Sequence, residues 1–180
     1  MNNTEHFVIN SNAKSVVMYF NTTNVNKTAD TYYDVFIENT GRANYQISFQ
    51  NSRRGLDTEI LLDGHAYHNY TIISYDFNRT FVDHVNRLTW PTKASVQHGP
   101  TLYRTTLKVK EPADTFLSLP GWHKGNVFVN SFNIGRYNRV GPQKTLYIPA
   151  PLLKKGDNSI IVFELHKPGT KLEFLDHPIL

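Results

Sequence analysis

The chain has 180 residues, 39% of them hydrophobic and 13% aromatic, with 19% charged, a net charge of +4 and no cysteine. This composition excludes a disordered tail, because it supplies the apolar surface of a packed core, and the absence of thiols excludes disulfides, thiolate zinc centres and cysteine nucleophiles. Lysine and arginine are scattered, so no basic stretch interleaved with aromatics marks a nucleic-acid groove, and no apolar run reaches the roughly 18 residues of a membrane-spanning helix.

In chain order, the N-terminal sequence MNNTEHFVINSNAKS has no basic start followed by an apolar segment, so a soluble chain with no leader of its own is expected. Short β-branched and aromatic runs follow at residues 15–20, 32–37 and 45–49, separated by Gly, Asn and Asp clusters, and read as strands. From residue 65 to 88 the pattern turns irregular, with many Asn and His residues. Further strands are predicted at 101–109, 115–119, 126–130, 144–148 and 159–165. Residues 149–155 suit one helical turn, with Pro149 near its start, Lys154 and Lys155 at the negative end of its dipole and Gly156 as its cap. Many short strands with turn signals between them predict an all-β protein, an antiparallel β-sandwich or jelly roll. The expected organisation is one complete domain preceded by a partial one: a partial sandwich over 1–75, a linker over 76–88 and a C-terminal jelly roll over 89–180.

A string of unusual elements occupies residues 111–165: Glu111-Pro112-Ala113-Asp114, Gly121-Trp122-His123-Lys124-Gly125, Asn133-Ile134-Gly135-Arg136-Tyr137, Gly141-Pro142-Gln143 and Leu146-Tyr147-Ile148-Pro149. In order and spacing they resemble the C-terminal β-domain of family 35 glycoside hydrolases, the β-galactosidases, whose jelly rolls are related to galactose-binding domains. Gly99-Pro100-Thr101-Leu102-Tyr103-Arg104 is similar to the strand that enters that domain, while residues 37–45 and Arg53-Arg54-Gly55-Leu56 resemble the β-domain before it. In that family the two catalytic glutamates come from a (β/α)8 barrel. A barrel takes about 250 residues, more than the 180 present, so the resemblance carries over no catalytic residue. It implies that residues 1–75 lack their opening strands and form the less stable half, with an exposed edge and apolar face.

Trp122, Arg136 and Tyr137 are the candidate sugar contacts: an indole and a phenol could stack on a sugar face, and a guanidinium fork could donate to hydroxyls. Each has a stronger packing alternative, namely a buried Trp122 donating to a backbone carbonyl and an Arg136 holding loop carbonyls or a carboxylate. Trp90, Tyr67 and Tyr70 offer still less to a sugar. Two departures from the family pattern, Asn138 where a tryptophan is usual and Ser131 where a glycine is usual, weaken sugar binding at this hairpin. Glu164, inside an apolar strand, is expected to pair with Arg104 or Arg136. His65 and His68, even with Asp63 or Asp76, lack the three or four converging ligands of a zinc site, so no metal and no cofactor are expected. Sequons at Asn2, Asn21, Asn26, Asn69 and Asn78 accept glycans only in a secretory pathway, and chance in an Asn-rich chain explains them.

These readings converge on a non-catalytic β-sandwich portion of a β-galactosidase-like hydrolase. Its partner would be the parent's catalytic barrel, which cleaves terminal β-galactosides with retention, and it would have no nucleic-acid or membrane partner. The alternative is a free-standing module that binds galactosides, and a third reading is a fragment whose Met1 falls inside a domain. Family members occur in lysosomes, outside cells and in bacterial cytoplasm, so a lysosomal or extracellular location follows only for a eukaryotic parent.

Overall fold

The computed structural model describes residues 34–38, 59–93 and 95–180. The strands predicted at 15–20 and 45–49, the sequons at Asn2, Asn21 and Asn26, and the resemblance at residues 53–56 lie outside these residues. Residues 34–37, the described part of the predicted strand 32–37, are exposed and form no strand. Among the described residues no helix is long and apolar enough to cross a membrane. The described residues fall into two compact units, which divide between Ile73 and Ser74.

The described part of the first unit contains a hairpin. Strands β1 (Ile60–Leu62) and β2 (His65–Tyr67) pair antiparallel, with Ile60 opposite Tyr67. Asp63 and Gly64 join them at φ +51° and +78°, the two left-handed residues that a type I′ turn requires and that Asp-Gly supplies cheaply. Residues 65–67 therefore extend where an irregular connection was expected, because the Asp-Gly signal outweighs the polar sequence around it.

The second unit opens with helix α1 (Arg79–Arg87), inside the segment expected to be a linker. Asn78 caps it, its side-chain oxygen accepting from the Phe81 amide at 2.9 Å, and Phe81, Val82, Val85 and Leu88 recur at helical spacing. The helix is only 9 residues long, too short to be stable without packing. Packing is what holds it: Val82 and Val85 are buried against Phe128, Ile161 and Phe163 of the sheet below, with Phe77, Phe81 and Trp90 around them.

Seven strands build the sandwich: β3 (Thr101–Val109), β4 (Thr115–Ser118), β5 (Lys124–Val129), β6 (Phe132–Asn138), β7 (Thr145–Ile148), β8 (Gly156–Glu164) and β9 (Glu173–Leu175). They form two antiparallel sheets, ordered β3-β8-β5-β6 and β7-β4-β9. Successive side chains of a strand point to opposite faces, which explains the apolar runs Val127-Phe128-Val129 and Ile160-Ile161-Val162-Phe163. Val127, Val129, Ile160 and Val162 meet Leu117, Ile148 and Trp122 between the sheets, whereas Phe128, Ile161 and Phe163 face the helix. The fold of the described part of this unit is an antiparallel β-sandwich with one α-helix laid on its larger sheet. The turn expected at 149–155 is a single 3-10 turn, Ala150–Leu152, closed by the Leu153 amide on the Ala150 carbonyl at 2.9 Å. Gly156 starts β8 and does not cap it.

A polar pair fastens this end of the sandwich. Asn158 is fully buried, and its oxygen accepts from Asn130 at 2.7 Å and from the Lys154 amide at 2.8 Å, while its amide donates to the Lys154 carbonyl at 2.8 Å. Asn130 and Ser131 form the loop between β5 and β6 at φ +47° and +70°. Both angles are left-handed, as a type I′ turn requires. Asn tolerates this conformation, and Ser131 carries the strain, about 1–2 kcal/mol for a residue with a Cβ. A long hydrogen bond from Asn86 to the Ser131 hydroxyl, 3.3 Å, returns part of it. Ser131→Gly is expected to stabilise the chain by about 0.5–1 kcal/mol in urea unfolding; a midpoint that stayed put or fell would remove the assigned strain.

Candidate functional site

The chemically most distinctive position is Glu164, a carboxylate with no exposed surface. It ends β8, where Gly125 of β5 stands opposite it, and Gly125 in turn stands opposite Tyr137 of β6. A Cβ on Gly125 would lie 1.7 Å from the Phe163 carbonyl oxygen and 3.1 Å from the Tyr137 hydroxyl. The missing side chain therefore lets the phenol cross over β5 to the carboxylate. Tyr137 donates to Glu164 Oε2 at 2.8 Å, and the His123 amide donates to the same oxygen at 2.9 Å. Oε1 accepts from the amides of Lys124 at 3.3 Å and His166 at 2.8 Å. Each oxygen thus holds two donors, which fills the roughly four lone-pair sites of a carboxylate. Burial first, and the adjacent Glu164 second, push the Tyr137 phenol well above its usual range.

The expected partners of Glu164 are corrected by this arrangement. Neither Arg104 nor Arg136 reaches it, because strand alternation puts both on the other face of the sheet. Arg104 stands opposite Ile161, on the helix side, where it donates to the Asn86 carbonyl at 3.2 Å and lies 5.7 Å from the centre of the Trp90 ring. Arg136 neighbours the buried Tyr137 in β6 and points outward, exposed. The signal that could have found the true partners was the spacing of Gly125, Tyr137 and Glu164, since a conformationally costly glycine inside a strand marks a close approach.

Residues 100–158 match the family described as "Beta-galactosidase, galactose-binding domain". Over these residues, from β3 into β8, the sandwich is of the β-galactosidase galactose-binding type. The chain is 39% identical over 147 residues to β-galactosidase-1-like protein 3 of Rattus norvegicus, covering 81% of this chain and 23% of that protein. It is 38% identical over 151 residues to the human β-galactosidase-1-like protein 2, covering 83% and 24%. Against the β-galactosidase of Bos taurus it is 34% identical over 185 residues, covering 88% and 28%. The chain thus spans about a quarter of the length of these relatives.

Within the galactose-binding domain the three candidate sugar contacts separate. Trp122 is buried, 6% exposed, with its indole N–H on the Lys171 carbonyl at 3.0 Å and its ring edge-on to Tyr103 at 5.3 Å. Tyr137 is 7% exposed and committed to Glu164. Arg136 alone lies on the surface. The structure does not bring these three side chains to a common face. Trp90 donates to the Val85 carbonyl at 3.2 Å, while Tyr67 and Tyr70 are exposed. His65 and His68 are exposed too, and no group of His, Cys, Asp and Glu suited to a metal occurs among the described residues.

Two measurements test the Glu164 knot. Glu164→Gln places an amide N–H₂ against backbone donors and is expected to cost about 2–4 kcal/mol, and Tyr137→Phe about 1–3 kcal/mol, in chemical unfolding. The phenol ionises near pH 10 in the unfolded chain but not in the folded one, so its contribution is complete below pH 10 and declines above it, as the unfolded state loses a proton that the native state keeps. Tyr137→Phe should flatten that alkaline decline; an unchanged slope would show that Tyr137 does not cause it.

Proposed function

We propose that this chain is the non-catalytic C-terminal β-sandwich portion of a β-galactosidase-like hydrolase of glycoside hydrolase family 35, and that it stabilises or shapes a catalytic barrel supplied by the rest of the parent. The observation that carries this reading is the state of Glu164. Retaining glycosidases use two carboxyl groups about 5–5.5 Å apart, one of them free to attack a sugar. Glu164 is the one fully buried carboxylate among the described residues, and all its acceptor sites are taken by the fold. Coverage of about a quarter of the relatives supports a larger parent with further domains. Burial of Trp122 and Tyr137 supports a packing role for the motif residues, leaving Arg136 as the one of the three placed to touch a ligand.

The test is a graft. Bovine β-galactosidase with its matching segment deleted should lose soluble activity, and insertion of this chain in its place should restore hydrolysis of a chromogenic β-galactoside, while this chain alone hydrolyses none. Turnover by the isolated chain at rates comparable to the bovine enzyme would sink the non-catalytic reading. A graft that stayed soluble and inactive would sink the scaffold role.

A further inference from the structure

The smaller sheet leaves an aromatic face open. Phe116 of β4 stands opposite Tyr147 of β7 on one side and opposite Leu175 of β9 on the other, which makes a cross-strand row. Their neighbours Leu117 and Ile148 have no exposed surface and fill the core, so alternation turns the row outward. Tyr147 is 46% exposed, Phe116 is half-buried, and their rings lie 5.3 Å apart at 43°.

A fixed acceptor borders this platform. Asp114 lies two positions before Phe116 and is exposed; its Oδ2 accepts from the Tyr147 hydroxyl at 2.8 Å and its Oδ1 from the Ala150 amide at 2.8 Å. The Ala150 amide first, and the Tyr147 hydroxyl second, hold this carboxyl below the usual carboxylate range. Two bonds leave the carboxylate free lone-pair sites toward solvent. At the other end of the face Glu173 stands opposite Ser118 and pairs with Lys171 at 2.5 Å. Ser118 and Thr145, farther along the same face, are buried, so the open part reaches from Asp114 to the Phe116–Tyr147 row, enough for one sugar ring.

We propose that the outer face of the β7-β4-β9 sheet is a galactoside-binding surface, with Tyr147 and Phe116 stacking on a sugar ring and Asp114 accepting hydrogen bonds from its hydroxyls. The chemistry selects this occupant over others. β4 is paired on both sides, so no peptide strand can add to it there. The Asp114 carboxylate beside the rings disfavours nucleic acid and anionic membrane surfaces. Flat rings beside an anchored acceptor match the two sides of a pyranose, its C–H face and its hydroxyl edge, and the axial hydroxyl of galactose leaves one ring face as a continuous patch of C–H groups. This surface is separate from Trp122, Arg136 and Tyr137, and it holds whether or not the scaffold role does.

Titration of the full chain with lactose, followed by calorimetry and by the ring resonances of Phe116 and Tyr147, tests it. Binding is expected, with cellobiose weaker. Tyr147→Ala and Asp114→Asn should each weaken it about tenfold at an unchanged melting temperature, and Tyr147→Phe, which keeps the ring, should weaken it less than Tyr147→Ala. No heat and no ring shifts at saturating lactose would overturn the proposal, as would affinity that survives Tyr147→Ala. Equal affinity for cellobiose would overturn the assignment to galactosides. Lactose binding needs no barrel, so its failure is distinguishable from failure of the graft.

Discussion

A buried carboxylate governs the architecture of this domain. Glu164 would be an expensive group to remove from water without partners, and the fold supplies them from four chain positions: the amides of His123, Lys124 and His166 and the hydroxyl of Tyr137. Because the donors come from three parts of the chain, satisfying Glu164 fixes the end of β8, the entry to β5 and the register of β6 together. Gly125 is the enabling vacancy, since any side chain there would strike the Phe163 carbonyl and crowd the phenol. A motif that looks like a binding signature in the linear sequence is in space a device for closing one side of a sandwich.

The same economy shapes the rest of the unit. β5 and β8 are central strands buried on both faces, so their side chains serve two cores at once, one between the sheets and one under α1. Covering Phe128, Ile161 and Phe163 requires a helix, and the short segment after Asn78 folds into one because the sheet offers it an apolar bed. The smaller sheet has no such cover over Phe116 and Tyr147. That asymmetry, one outer face sheathed by a helix and the other studded with aromatics beside an anchored Asp114, separates the structural side of the domain from the side available to a ligand.

Much of this was legible in the residues. The alternating and continuous apolar runs place β3, β4, β5, β7 and β8 close to their observed bounds, and the family signature over residues 111–165 matches the galactose-binding domain found over residues 100–158. Helix α1 was legible too, in the Asn78 cap and the spacing of Phe81, Val82, Val85 and Leu88, but its polar flanks masked it. β9, three residues long, carries too short a pattern to stand out, and it forms because β4 offers it an edge. The partner of Glu164 was misassigned because opposite charge suggests a salt bridge, whereas strand parity sends Arg104 and Arg136 to the wrong face.

The sequence by itself determined what depends on neighbours along the chain: strand periodicity, the absence of thiol chemistry and the family that the motif string resembles. Tertiary structure alone decided which side chains share a face and which groups satisfy one another. Trp122 and Tyr137 could have been platforms or core until packing buried them, and Asp114, Phe116 and Tyr147 became a candidate surface only when β4 and β7 paired. Their proximity arises from hydrogen-bond register between strands distant in sequence, and no local pattern encodes that register.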